Sequence, residues 1–315
     1  MIPAAPRIPH GADLHRAIAR YGCAPGGQPW LDLSTGINPW AWPVREHLAR
    51  LPDAAWHDLP GPDAAVREAF EAAYGEGALP VAGSQAVIQA LPRLWRRHWG
   101  AAQVQVLWPS YGEHAARWAL EGHAVQGLSR EHLGQAEADV IVIAHPNNPT
   151  GDTFDTPRVQ ALAARCRLLV IDEAFLDVTG QPSHARLGLR NAVVLRSLGK
   201  FYGLAGLRVG AVVAPEAWRE ALAAELGPWP VGGVALQLAA AALRDTHWQA
   251  ALRGRLEAQA QALGALLTRH GLPHLGTTLF RTVPTSRAAA LHDALAAQGV
   301  WTRLFDLPAP AGHEG

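Results

Sequence analysis

The sequence predicts an α/β protein. A mostly parallel sheet flanked by helices forms a large domain, and a smaller α+β domain is built from both chain ends. Three observations predict it. Apolar runs of strand length, over 139–144 and 168–172, are continuous and not alternating, as in strands covered on both faces. Amphipathic stretches of helical length separate such runs, which points to right-handed crossovers in one sheet. The chain has 315 residues, 49% hydrophobic and 17% charged, enough to bury a large core.

Taken in order, residues 1–30 read as irregular apart from a short helix over 12–21. A brief strand over 30–33 runs into a turn marked by Gly36 and Asn38-Pro39. A short helix is expected over 43–50, a loop over 56–62, and a helix from Asp63, as N-cap, to Tyr74. Gly83-Ser84-Gln85 opens a helix that runs toward Trp99. Strands are expected over 103–108, 139–144, 168–172, 192–196 and 208–213, with helices over 114–120 and 156–165 between them. Residues 234–270 read as one or two long helices linking the domains. A strand over 278–283, a helix over 286–298 and a strand over 300–305 complete the pattern. The expected division is a large domain over 40–230 and a small one from 1–39 and 231–315.

Bulk composition excludes several function classes. Lys+Arg and Asp+Glu number 27 each, and no basic stripe stands out, so nucleic acid is not an expected partner. No apolar run reaches membrane-spanning length, and residues 1–30 lack a secretory signal pattern. Cys23 and Cys166 make no disulfide framework and suggest free thiols in a reducing, cytoplasmic compartment. The 15 histidines include no HExxH pattern, and there is no CxxC pair, so no metal is expected.

The chemistry gathers around Lys200, the only lysine in the chain. A primary amine condenses with an aldehyde and a guanidinium does not. Ser197 and Arg208 stand at −3 and +8 from it and suit a phosphate, the arginine through charge-assisted hydrogen bonds. Ser84 and Gln85 lie where the free N–H groups of a helix start bind the same kind of anion. Asp172 ends a buried strand. There a carboxylate serves as a helix cap, as a loop ion pair or as the partner of a cationic ring nitrogen, and its burial calls for a cationic partner. Tyr111, in a loop after a strand, either stacks on a planar ring or packs in the core.

Together, Asp172-Glu-Ala, Asn147-Asn-Pro-Thr-Gly151 and Ser197-x-x-Lys200 with Arg208 resemble the fold-type I aminotransferases, which use pyridoxal 5′-phosphate. The resemblance runs in order from about residue 31 to 305. It implies the PLP-dependent transferase fold and a homodimer with its active sites at the interface. It also implies roles: Lys200 holds the cofactor and moves a proton, and Asp172 pairs with the pyridine nitrogen. Asn148 meets the phenolic oxygen, Tyr111 stacks on the ring, and Ser84, Gln85, Ser197 and Arg208 hold the phosphate. The family often has tyrosine where Phe175 stands, and another tyrosine in the region of Trp56–Pro60.

Within this family the segments His10-Gly11, 30–39, 82–86, 109–113 and 299–305 are similar to the branch that decarboxylates threonine phosphate in cobalamin biosynthesis. That branch lies near the histidinol-phosphate aminotransferases. The likeness implies that His10, Gly11, Gly36, Asn38, Asn148 and Arg303 contact a small phosphorylated amino acid. The family's second arginine beyond Arg303 has no match, which reads as a truncated or altered C-terminus or as different substrate anchoring. Decarboxylation is the leading expectation. An aminotransferase and a PLP-fold protein without catalysis are the alternatives.

Overall fold

The structure, a computed structural model, describes residues 11–305. Eleven strands are assigned among them: β1 (Leu31–Leu33), β2 (Leu79–Val81), β3 (Gln103–Leu107), β4 (Ala124–Leu128), β5 (Ala138–Ala144), β6 (Cys166–Asp172), β7 (Ala192–Ser197), β8 (Gly210–Val213), β9 (Leu275–Gly276), β10 (Arg281–Thr282) and β11 (Val300–Thr302). Seven form one sheet in the order β2-β8-β7-β6-β5-β3-β4. β3 to β7 run parallel, and β8 is antiparallel to both of its neighbours. The α/β class and the mostly parallel sheet read from the sequence are present.

The continuous apolar strands have a simple cause. Side chains alternate across a strand, and both faces are covered. Ile141, Ile143, Leu169, Ile171 and Val194 pack into one core with Phe70 and Phe201. Val140, Val142, Leu168, Val170, Val193 and Leu195 pack into the other with Trp95 and Trp118. The helix Ala64–Tyr74 begins where expected, because Asp63 accepts hydrogen bonds from the N–H groups of Ala65 and Val66. The helix Gly233–Arg244 contributes Leu238, Ala239, Ala242 and Leu243 to the first core.

Several elements differ from the sequence reading. β4 was missed because its Ala-Val-Gln-Gly-Leu lies at the sheet edge, largely exposed, and carries no apolar run. β2 is three residues long, with Pro80 at its centre. The helix Glu216–Leu226 was also missed, since it buries only Leu222 fully and has no sharp apolar stripe. The loop expected over 56–62 starts inside a helical turn, Ala54–His57. β8 starts two residues late, because Arg208 takes the left-handed conformation at φ 56° and breaks the extended chain. The strand expected over 278–283 shrinks to β10, which pairs with β9 around a tight turn. Apart from the large sheet, β1 pairs in parallel with β11, so the two ends of the described chain meet. Tyr21 packs against Trp30 and Trp301, and its hydroxyl donates to Asp293. No described helix is long and apolar enough to cross a membrane.

A buried ionic group locks β6 to β7. Glu173 is fully buried and accepts hydrogen bonds from Arg196 Nη1 at 2.7 Å, from the His184 backbone N–H at 2.8 Å and from Ser183 Oγ. Arg196 Nη2 reaches Asp177, and the guanidinium lies over the Tyr74 ring. Beside it, Phe154 bonds two histidines: its N–H donates to His145 Nδ1, and its carbonyl accepts from His184 Nε2. His145, Glu173 and His184 bring potential metal-ligand atoms within 4.8 Å of one another. However, His145 Nδ1 is an acceptor, so its proton sits on Nε2, and both Glu173 oxygens already accept hydrogen bonds, one of them from a guanidinium. The cluster therefore acts as an internal hydrogen-bond hub.

Two predictions follow from this hub. Arg196→Met leaves Glu173 and Asp177 as uncompensated buried charges. Urea denaturation is expected to show a loss of about 3–5 kcal/mol. Burial first, then His184 and Arg196, push His145 down to about 4. An unfolded histidine titrates near ~6.5, so the unfolded state binds more protons in between. The stability tied to a neutral His145 is complete above the unfolded value and is lost as pH falls through the folded one. It amounts to about 3 kcal/mol. His145→Asn keeps an acceptor for Phe154 and should flatten that part of the acid-denaturation profile.

Candidate active site

The site forms at the C-terminal ends of β5, β6 and β7, where open α/β sheets place their ligands. Lys200 lies three residues beyond β7, in a turn held from outside. The Asn38 N–H donates to the Lys200 carbonyl at 3.1 Å. The Asn38 side-chain amide donates to the carbonyls of Phe201 and Trp40 and accepts from the Trp40 N–H. Asn38 is thus spent on backbone and clamps the Lys200 turn. Burial pushes the Lys200 amine below its ordinary pKa. Asp172 pulls it back up and Arg208 lowers it further, so both lie close enough to act on its charge.

Asp172 is buried at the end of β6. One oxygen accepts from the Ala174 N–H at 3.0 Å, and the other lies 2.9 Å from His114 Nε2. The partner expected for a buried carboxylate is therefore a histidine that the sequence reading missed. The available signal was spacing. Tyr111 and His114 are three residues apart at the start of the helix Gly112–Leu120, so they share a face. Their rings meet edge to face at 6.0 Å and 87°. Burial, followed by Glu113 and Asp172, pushes the Tyr111 phenol up to about 12, so it stays neutral and can donate. It donates to Gln85 Oε1, while Gln85 Nε2 donates to Glu113 at 2.7 Å. The Gln85 side chain is thus committed to positioning Tyr111.

The helix Ser84–Trp99 starts from Gly83 at φ 72° with no side-chain cap, which leaves its first N–H groups for an anion. Arg208 crosses that helix end. A Cβ on Gly83 would stand 2.9 Å from Arg208 Nη2, and one on Gly210 would stand 3.0 Å from the Ser84 N. Gly83 thus leaves room for the guanidinium, while Gly210 is required first by the Arg196 carbonyl of β7, with which its Cβ would collide. On the lysine side, Ser197 Oγ accepts from the Gly199 N–H at 3.2 Å.

The remaining expected residues are placed as follows. Asn148 is half-buried and its side chain has no hydrogen bond among the described residues. Its neighbour Asn147 is taken up by Ser110, Pro109 and Thr150. Gly11 packs on Ser34, whose hydroxyl accepts from the Ala12 N–H at 2.8 Å. Gly36 packs on Phe175 and Phe280. Arg303 is half-buried beside Phe305; burial lowers its pKa and Tyr111 raises it. His10 lies outside the described residues. The structure thus gathers Lys200, Asp172, Tyr111, Gln85 and Arg208 around one concavity, with His114 and Glu113 behind them.

Comparison with known proteins agrees with this architecture. The family model described as aminotransferase class I and II matches residues 65–308. A threonine-phosphate decarboxylase of Pseudomonas aeruginosa is 43% identical over 316 residues, covering 96% of this chain and 91% of that protein. A threonine-phosphate decarboxylase of a Sinorhizobium species is also 43% identical, covering 95% and 90%. The crystal structure of histidinol-phosphate aminotransferase from Sinorhizobium meliloti in complex with pyridoxal-5′-phosphate superposes with a TM-score of 0.74 at 18% identity, over 95% and 87% of the two chains. With most of its length matched in these ways, the chain belongs to the class I and II aminotransferase family.

Proposed function

We propose that the protein is a pyridoxal-phosphate-dependent lyase that decarboxylates L-threonine O-3-phosphate to (R)-1-amino-2-propanol O-2-phosphate, a step of cobalamin biosynthesis. The observation that carries this reading is 43% identity, along nearly the whole chain, to threonine-phosphate decarboxylases. The aminotransferase alternative has less behind it, since histidinol-phosphate aminotransferases matched over 92–94% of the chain are 28–29% identical to it, against 43% for the decarboxylases.

The residues present fit this cofactor. The space that a Cβ on Gly83 would fill has a phosphate's requirements: free helix N–H groups and a guanidinium. In this reading Ser84, Gln85, Ser197 and Arg208 hold the phosphate, Asn148 meets the phenolic oxygen and Tyr111 covers the ring. Asp172 meets the ring nitrogen, and Lys200 bonds the aldehyde carbon. When bound, the cofactor supplies an aldehyde that captures the substrate amine and a ring that draws electrons from the bond broken at Cα. Asp172, fixed by His114 and the Ala174 N–H, keeps a proton on the ring nitrogen. Lys200 Nζ, released from the aldehyde carbon when the substrate amine takes its place, would give a proton to the carbon that has lost CO2, leaving the phosphate ester at the neighbouring carbon untouched. In the same reading Gly11, Gly36, Asn148 and Arg303 stand on the substrate side, where His10 is also assigned, while Asn38 acts through the Lys200 turn that it clamps. The grip of the substrate-side residues on the phosphate and carboxylate sets which Cα bond stands perpendicular to the ring.

A homodimer belongs to the same proposal. The exposed Trp56, Leu59 and Trp229 are large apolar side chains that a second copy would cover. A cytoplasmic location is consistent with two unpaired cysteines. So is a division into 40–230 and the two chain ends, supported by the pairing of β1 with β11. The helix Gly233–Arg244 nevertheless packs with the core of the large sheet.

Two measurements test the reading. Threonine phosphate added to the loaded protein, with no 2-oxo acid, should release one CO2 per aminopropanol phosphate formed. Borohydride should fix the cofactor on Lys200, and Lys200→Ala should slow turnover on the order of 10^3-fold or more. A folded, loaded protein that released no CO2, or that accumulated the aminated cofactor, would sink the proposal in favour of transamination. Second, His114→Phe removes the hydrogen bond to Asp172 and keeps an aromatic ring beside Tyr111. Steady-state kinetics should show kcat/KM reduced about tenfold, the effect of one hydrogen bond to a charged group.

A further inference from the structure

The Lys200 amine sits against an aromatic face. Its Nζ lies 5.4 Å from the centroid of the Phe175 ring, within range for a cation–π interaction. Phe175 stands three residues after Asp172, in the turn that leaves β6, and is buried. Two other segments meet the same ring. A Cβ on Gly36 would come within 2.8 Å of Phe175 Cε1 and 3.0 Å of Cζ, so the loop after β1 runs along the ring edge. Phe280, in the turn between β9 and β10, meets the ring at 5.2 Å and 75°. The same Gly36 Cβ would stand 3.4 Å from Phe280 Cδ1. One side chain therefore touches the amine and also two segments from outside the large sheet.

The chemistry of that contact is specific. Burial disfavours the charged amine, Asp172 favours it and Arg208 opposes it. A ring face favours the cation without adding a charge. A phenyl ring also has no hydroxyl, so it holds the amine without fixing its direction by a hydrogen bond. The ring can tilt only if Gly36 and Phe280 let it, since both press on it.

We propose that Phe175 is a positioning residue for Lys200: its ring holds the amine and passes to it any displacement of the Gly36 loop and the Phe280 turn. This rests on Lys200 being the reacting amine of the proposed function. Because Lys200 is the only lysine in the chain, its protonation can be read in isolation. The measurement is the pH dependence of acylation by acetic anhydride in protein freed of pyridoxal phosphate, with the Lys200 peptide quantified by mass. The N-terminal peptide serves as the internal reference.

Phe175→Leu should lower the Lys200 midpoint by about half a pKa unit, roughly threefold in proton affinity. Gly36→Ala pushes on the ring edge and should move the midpoint with Phe175 still in place. In the loaded protein, the pH midpoint of the visible absorption band should move with Phe175→Leu in the same direction. An unchanged midpoint in a folded Phe175→Leu protein overturns the proposal. If that variant does not fold, an unchanged midpoint in Gly36→Ala overturns it instead. Failure of the cofactor reading has a separate signature, borohydride label absent from Lys200 in the parent protein, and it leaves the acylation result standing.

Discussion

The ion pair between Glu173 and Arg196 is the constraint on which the site depends. Each residue adjoins a site residue: Glu173 follows Asp172, and Arg196 precedes Ser197. Both are buried, so removing them from water is costly and only close pairing offsets it. That requirement narrows the permitted geometry. β6 and β7 must end in register, with Asp172 opposite Leu195, for Arg196 Nη1 to reach Glu173. Asp177, the Ser183 hydroxyl and the His184 N–H then attach to the same pair, which pins the chain between β6 and β7. The positions from which Asp172 and Lys200 project follow from this lock more than from anything within the site.

Within that frame the site is shaped by what is missing as much as by what is present. The space beneath Arg208 exists because Gly83 lacks a Cβ, and Gly210 lets β8 approach the Arg196 carbonyl. Arg208 reaches it from a left-handed backbone that costs a non-glycine residue on the order of 1 kcal/mol. The chain tolerates that cost at the residue whose guanidinium crosses the start of the helix Ser84–Trp99. Behind the site, Glu113 binds both Gln85 and Arg117, and Gln85 in turn meets Tyr111. The orientation of the Tyr111 phenol is therefore set two residues deep.

What the sequence made legible was whatever repeats or is singular. The buried strands β5, β6 and β7 could be read because two cores demand apolar residues at every position. Lys200 could be read because it has no competitor of its kind. The edge strand β4 and the three-residue β2 could not, since an edge position or a short ladder imposes no apolar pattern. His114 was hidden for another reason. Its spacing from Tyr111 marks a shared helix face but names no partner, which appears only once the helix after β3 and the end of β6 are known to face each other. Likewise, Asn38 reads as a loop residue in the sequence, and only the fold shows that its amide is spent on the Lys200 turn.

The two halves of the site rest on different supports, and that separates cofactor binding from reaction choice. Asp172, Ser197, Lys200 and the helix start at Ser84 all hang on the seven-stranded sheet and its buried lock. Gly11, Gly36 and Arg303 come from the segments around the β1–β11 pair, held mainly by loops and aromatic contacts. A lyase and an aminotransferase of this family need the same first half. They differ in which bond at Cα is turned toward the ring, a matter of tens of degrees set by contacts at the far end of the substrate. Phe175 is one place where the halves touch, since its ring meets Gly36 and Phe280 on one side and the Lys200 amine on the other. A displacement of the Gly36 loop or of the Phe280 turn therefore has a short physical route to the Lys200 amine, and that route passes through one phenyl ring.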